Sequence, residues 1–82
     1  SMNKITVGIK GMMCGNCENH MNEAIKKAFD SKKVKSSHKK EETVFVTDQD
    51  IDEARLRQVV EDAGYEMVQM KIEPYKKTLF GF

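Results

Sequence analysis

Apolar and polar residues alternate along the first segment, "KITVGIK", where Ile5, Val7 and Ile9 are set against Thr6, Gly8 and Lys10. A period of two places the apolar side chains on one side of a half-buried strand. The period then changes. Cys17, Met21, Ala24, Ile25 and Ala28 recur three or four apart, the spacing of a single helix face. Glu18, Asn19, Asn22, Glu23, Lys26 and Lys27 fall on the wet side, acids first and bases last as the helix dipole favours.

Beyond the helix, residues 34–39, "VKSSHK", make a poor strand by propensity, whereas "TVFVT" makes a good one. Lys40, Glu41 and Glu42 between them read as a hairpin turn without the Asn-Gly or Asp-Gly chemistry of the tightest turns. A lysine-rich strand suits a sheet edge, because its charges discourage pairing with other chains, and residues 34–39 are expected there. In the next segment Asp50 is expected to cap a helix, with Glu53 at the capping-box position and Gly64 as terminator. Leu56, Val59, Val60 and Ala63 form its buried stripe. The last strand, "EMVQMKIE", alternates Val68, Met70 and Ile72 against Gln69 and Lys71, and Pro74 ends it.

Strand, helix, strand, strand, helix, strand is the split βαβ order. It predicts an α+β, ferredoxin-like βαββαβ sandwich, a four-stranded antiparallel sheet with both helices on one face. Ser1 and Met2 read as a cloning remnant and start, residues 3–73 as one domain, and residues 74–82 as a C-terminal tail without a period.

Composition narrows the function. The 82 residues allow one small domain, which buries about 60–65% of its unfolded surface. Charged residues make up 33% of the chain yet cancel to a net +1, so no field argues for nucleic acid. Tyr75, Phe80 and Phe82, half of the aromatics, crowd the C-terminal end and do not form a stacking platform. No apolar run approaches the ~18 residues of a membrane span, and the opening residues lack the basic and apolar regions of a signal peptide. Two cysteines are too few for a disulfide-stapled secreted fold. Together these features predict a cytoplasmic protein with no nucleic-acid partner and no membrane insertion, whose thiols stay reduced.

The chemistry lies in "GMMCGNC", Gly11 to Cys17, which holds both cysteines. Cys14 falls in the loop between first strand and first helix and Cys17 in the helix's opening turn. There unpaired backbone N–H groups and the positive dipole end favour thiolates. Gly11 and Gly15 are expected to permit turns that side chains would hinder. Two ionised sulfurs on an exposed loop make a soft site of low coordination, suited to Cu(I) and also to Hg(II), whereas Zn(II) prefers four ligands. A thioredoxin-like redox pair also places C-x-x-C at a helix start, but such proteins usually carry a proline facing the motif, and the only proline here is Pro74. A plain pair of buried thiols is the third reading. The spacing of His20 and His38 fits no zinc-finger pattern, so a structural zinc site is not expected.

With "ENHMNEAIKKAF" after it and "EDAGYEM" before the last strand, "GMMCGNC" resembles the heavy-metal-associated domain family, closest in kind to bacterial copper chaperones, over roughly residues 3–73. The resemblance implies a carrier, not an enzyme. It would hold Cu(I) on Cys14 and Cys17, with Zn(II), Cd(II) or Hg(II) as alternative ions. Met12 would be a buried support of the loop, and Tyr65 would lie near the metal. The implied partner is a heavy-metal P-type ATPase or another metal-accepting protein, with a metal-bridged homodimer as a further form. Alternatively the chain is the amino-terminal metal-binding domain of such an ATPase, or a mercury- or zinc-binding homologue; a dithiol oxidoreductase is the remaining alternative. The chain departs from the family in lacking the usual Gly-Val after the first helix, where "DSKKVKSSHKKEE" offers only Val34.

The spacing of the remaining residues carries less chemistry. His20, one helical turn past Cys17, is either an extra ligand or part of a solvated face. His38 reads as a surface residue of the edge strand and Met13 as exposed loop. Met21, Met67 and Met70 match apolar faces and read as core. Lysines crowd residues 26–40 and acids the stretch from Glu41 to Asp62. This is either a solvated surface or a field that steers the chain to an acidic partner.

Overall fold

The computed structural model describes residues 2–31 and 33–75; Ser1, Lys32 and all of the expected tail after Tyr75 lie outside them. The elements follow the predicted order: β1 (Asn3–Lys10), α1 (Gly15–Phe29), β2 (Lys33–Ser37), β3 (Glu42–Thr47), α2 (Glu53–Asp62) and β4 (Glu66–Pro74). The strands form one antiparallel sheet in the order β2-β3-β1-β4. Both helices lie on one face of it, the ferredoxin-like arrangement. Ile5, Val7, Ile9, Phe45 and Met67 from the sheet close the core against Met21, Ile25 and Phe29 of α1 and Leu56 and Val60 of α2. Phe29 and Phe45 stack across the layers with ring centroids 5.8 Å apart. Since both helices run over one face, the loops at one end of the sheet meet, and the cysteine loop lies at that end.

β2 occupies the edge, as its lysines predict. It is held by polar groups instead of apolar ones. Ser36 turns inward and its hydroxyl bonds the Asn22 side chain of α1 and the Thr43 hydroxyl of β3, each at 2.7 Å. This explains how a strand with only Val34 on its apolar face keeps its place, since buried hydroxyls with satisfied partners specify register.

Three expectations need correction. α2 is capped by Asp52, whose carboxylate accepts the Ala54 N–H at 3.0 Å, and not by Asp50. With Asp52 as cap, Ile51 before it and Leu56 in the next turn both pack on the core, the positions of a hydrophobic staple. Second, Val68 does not share a face with Met70 and Ile72. The β1–β4 register shifts between Gly8 and Ile9, so that Gly8 faces Gln69 while Ile9 faces Met67. The bulge leaves Val68 50% exposed and buries Met67 instead; Ile72, on the outer strand, is 47% exposed. Gly8 leaves room for this, because a Cβ there would sit 2.8 Å from Gln69 Cγ. Third, His38 is not on the edge strand but in the turn after it.

The missing glycine after α1 also has a structural counterpart. Asp30 ends the helix in the left-handed conformation, φ 51° and ψ 37°, where glycine is favoured. Asp30→Gly is therefore expected to stabilise the fold by about 0.5–1 kcal/mol, relieving left-handed strain against a smaller entropic cost. Chemical denaturation of the two proteins measures it.

Candidate functional site

The cysteine loop starts from Gly11, whose φ of +109° only glycine adopts without strain. Met12 then plunges into the core, 5% exposed, and anchors the loop from below. Met13 is thrown outward, 79% exposed. Cys14 is the N-cap of α1 in extended conformation, and its side chain makes no capping hydrogen bond. Its backbone oxygen accepts the Glu18 N–H at 3.2 Å. Cys14 is exposed and Cys17, one turn into the helix, half-buried against the core; both thiols are free. Gly15 needs no special backbone and has open space where a Cβ would stand, so of the two glycines only Gly11 is required by the turn.

The Cys17 thiol is lowered from 9.0 to about 7. Hydrogen bonding from the Met13 backbone is the main cause, followed by the Tyr65 hydroxyl; partial burial opposes them, and the Cys14 backbone and side chain add smaller contributions. Tyr65 responds in the opposite sense. The Cys17 sulfur raises it, then burial, then the two cysteine charges, so its hydroxyl stays protonated and remains a donor.

Tyr65 reaches this place because of how α2 ends. After Ala63 the chain turns through Gly64 at φ +96°, with the Gly64 N–H on the Glu61 oxygen at 2.9 Å and the Tyr65 N–H on the Val60 oxygen at 3.1 Å. This pair of bonds is the Schellman arrangement, and it fixes the Tyr65 backbone at the cysteine end of the sheet. The ring then packs over Gly11, where a Cβ would come within 3.2 Å of Tyr65 Cδ1. His20 meets the same ring edge-on, with centroids 6.1 Å apart and planes at 69°.

One feature of this end was not legible as spacing. Glu18, assigned to the wet side, is only 25% exposed in its side chain. Its carboxylate accepts the His38 backbone N–H at 2.7 Å and meets His38 Nδ1 at 2.6 Å. These contacts hold the Glu18 carboxyl below its usual range, the backbone bond first and the ring second. The pair ties the opening turn of α1 to the β2–β3 turn.

The lowered Cys17 thiol gives a pH prediction. Its folded value lies below that of an unfolded thiol, so the stability it contributes is full above the ordinary thiol pKa and is lost as pH falls through about 7. Alkylation of Cys17 in the apo-protein should follow a midpoint near pH 7, gaining about tenfold between pH 6 and pH 8. In Tyr65→Phe the midpoint should rise. Mass-resolved alkylation rates measure both.

Among the described residues no three His, Cys, Asp or Glu side chains gather as for a metal ion, so His20 and His38 stand apart from the cysteine pair. Nor is any helix there long and apolar enough to cross a membrane.

No family model matches the chain. A mercuric reductase of Lysinibacillus sphaericus is 35% identical over 65 residues, 79% of this chain, and the chain spans only 12% of the length of that relative. Among solved structures, a copper-binding domain from HMA7, a P-type ATPase, superposes with a TM-score of 0.70 at 28% identity, covering 87% of this chain and 93% of the other. A putative copper-ion-binding protein from Bacillus anthracis str. Ames gives 0.71 at 25% identity, covering 83% and 97%. These structural neighbours are heavy-metal-associated domains, and the match to the mercuric reductase fits that family. Met12 and Cys14 from the β1–α1 loop, Cys17 from the opening turn of α1 and Tyr65 from the turn before β4 lie at one end of the sandwich.

Proposed function

We propose that this domain is a carrier for a soft heavy-metal ion, held between the Cys14 and Cys17 sulfurs, and that the ion is Cu(I). The observation that supports this reading most is the pair of free thiols at the N-terminus of α1, one exposed and one lowered to about 7. The Cys17 thiol lowered to about 7 supplies a thiolate at neutral pH beside the solvent-open Cys14, which suits a soft ion of low coordination number. The copper-binding relatives favour Cu(I); the mercuric reductase keeps Hg(II) as the second reading.

Transfer follows from exposure. A thiolate of an accepting domain attacks the bound ion from the Cys14 side and forms a third metal–sulfur bond. One of the domain's own sulfurs then leaves, the acceptor's second thiolate binds and the remaining sulfur follows. Each bond formed is matched by one broken, the metal keeps its oxidation state, and each released thiolate takes up the proton that its incoming counterpart gave to water. Met12 beneath the loop and Tyr65 beside it hold the sulfurs in place and make no bond to the ion. The accepting partner on this reading is the metal-binding domain of a heavy-metal P-type ATPase or another two-thiol protein.

Mixing the Cu(I)-loaded domain with an apo two-thiol domain tests the carrier role. Transfer should proceed at a rate set by the acceptor concentration, even with a weak chelator present to capture free ion. Transfer that stops when the chelator is added would contradict it. An insulin-disulfide assay distinguishes the dithiol oxidoreductase: the carrier should show no reduction above the background of free thiol.

A further inference from the structure

His20 is an exposed residue that joins no metal-ligand cluster among the described residues, but its ring has a neighbour. Its ring meets Tyr65 edge-on at 6.1 Å and 69°, a favoured aromatic geometry. Tyr65 needs such a neighbour. Its backbone is fixed by the bonds that close α2, but the residue is only half-buried, so core packing alone does not set its ring. The ring has two other determinants, the Gly11 backbone below it and His20. His20 sits three residues beyond Cys17 on the same rigid helix, so the sulfur and the ring that steadies Tyr65 move as one body.

We propose that His20 is a positioning residue: packed against the Tyr65 ring, it keeps that ring seated over Gly11 at the base of the cysteine loop and is not itself a ligand. This rests on the carrier reading, and it adds a determinant of how firmly the ion is retained. With His20 in place, the tyrosine covers the Cys17 side of the site, and exchange is confined to the exposed Cys14 side. Without it the ring rotates away, and the Cys17 side opens to competing ligands.

The test compares His20→Ala with His20→Phe, which keeps an aromatic edge but cannot bind a metal. Two quantities are read in each: the rate at which a Cu(I)-loaded protein loses its ion to excess chelator, and the NMR contact between the Tyr65 ring and Gly11 Hα in the apo-protein. His20→Ala should lose the ring contact and release Cu(I) about two- to tenfold faster, the range expected for one aromatic pair. His20→Phe should match the parent in both. Parent-like values in His20→Ala would overturn the proposal. Equal acceleration of release in both variants would also overturn it, since the imidazole nitrogen would then be what holds the ion. If the parent binds no Cu(I), the carrier reading fails, and the ring contact in the apo-proteins still decides whether His20 positions Tyr65.

Discussion

Cys17→Ser is expected to weaken Cu(I) binding by about two to three orders of magnitude. A four-ligand zinc site is worth ~10–16 kcal/mol, so each ligand supplies about 2.5–4 kcal/mol. Serine leaves a neutral hydroxyl where a thiol lowered to about 7 supplied a soft anion. The fold should persist, because Cys17 is only half-buried and touches the core from its margin. Anaerobic competition against a chelator of known affinity measures the loss, with circular dichroism as the control for folding. Undiminished affinity in the serine variant would remove Cys17 from the site.

The second large effect concerns the loop. Gly11→Val should destabilise the protein by about 2–3 kcal/mol, because a β-branched residue is placed at φ +109°. Its Cβ would also stand 3.2 Å from Tyr65 Cδ1, so the tyrosine must shift and the Cys17 thiol should rise toward its ordinary value. Gly15→Ala is the matched control. Open space surrounds that position at the start of α1, and alanine there should be neutral or stabilising by up to about 1 kcal/mol. Urea denaturation with alkylation of Cys17 reads both effects. Equal behaviour of the two variants would contradict the role given to Gly11.

Much of the molecule was legible because local periods and tertiary burial agree. The alternation of Ile5, Val7 and Ile9 and the helical spacing of Met21 and Ile25 report faces that are buried. The lysines of β2 likewise mark a true edge. The errors arose where two local signals compete. Asp50 with Glu53 fits the capping-box spacing, but the staple formed by Ile51 and Leu56 selects Asp52; that pair was readable in "DIDEARL". Around Val68 the strand itself alternates regularly and gives no sign of the bulge, which lies in its pairing with β1. Gly8 was its sequence signal, since an isolated glycine in a strand marks a bulge or a close backbone approach.

At the site, the spacing of the cysteine pair puts both residues at the start of a helix, where they lie, and Met12 is buried as the family resemblance implies. The Glu18–His38 contact was not readable, because its partners are twenty residues apart and meet only when the β2–β3 turn folds against α1. The place of His20 was hidden for the same reason: Tyr65 reaches it through the turn that closes α2. Such contacts depend on where loops converge and carry no period.

The most direct measurement is an anaerobic titration of the reduced domain with Cu(I) and with Zn(II), each against a chelator of known affinity. Tight one-to-one Cu(I) binding that requires both Cys14 and Cys17, with weak zinc binding, is the expected result. A preference for zinc, or no tight Cu(I) binding, would contradict the assignment of this site to a Cu(I) carrier.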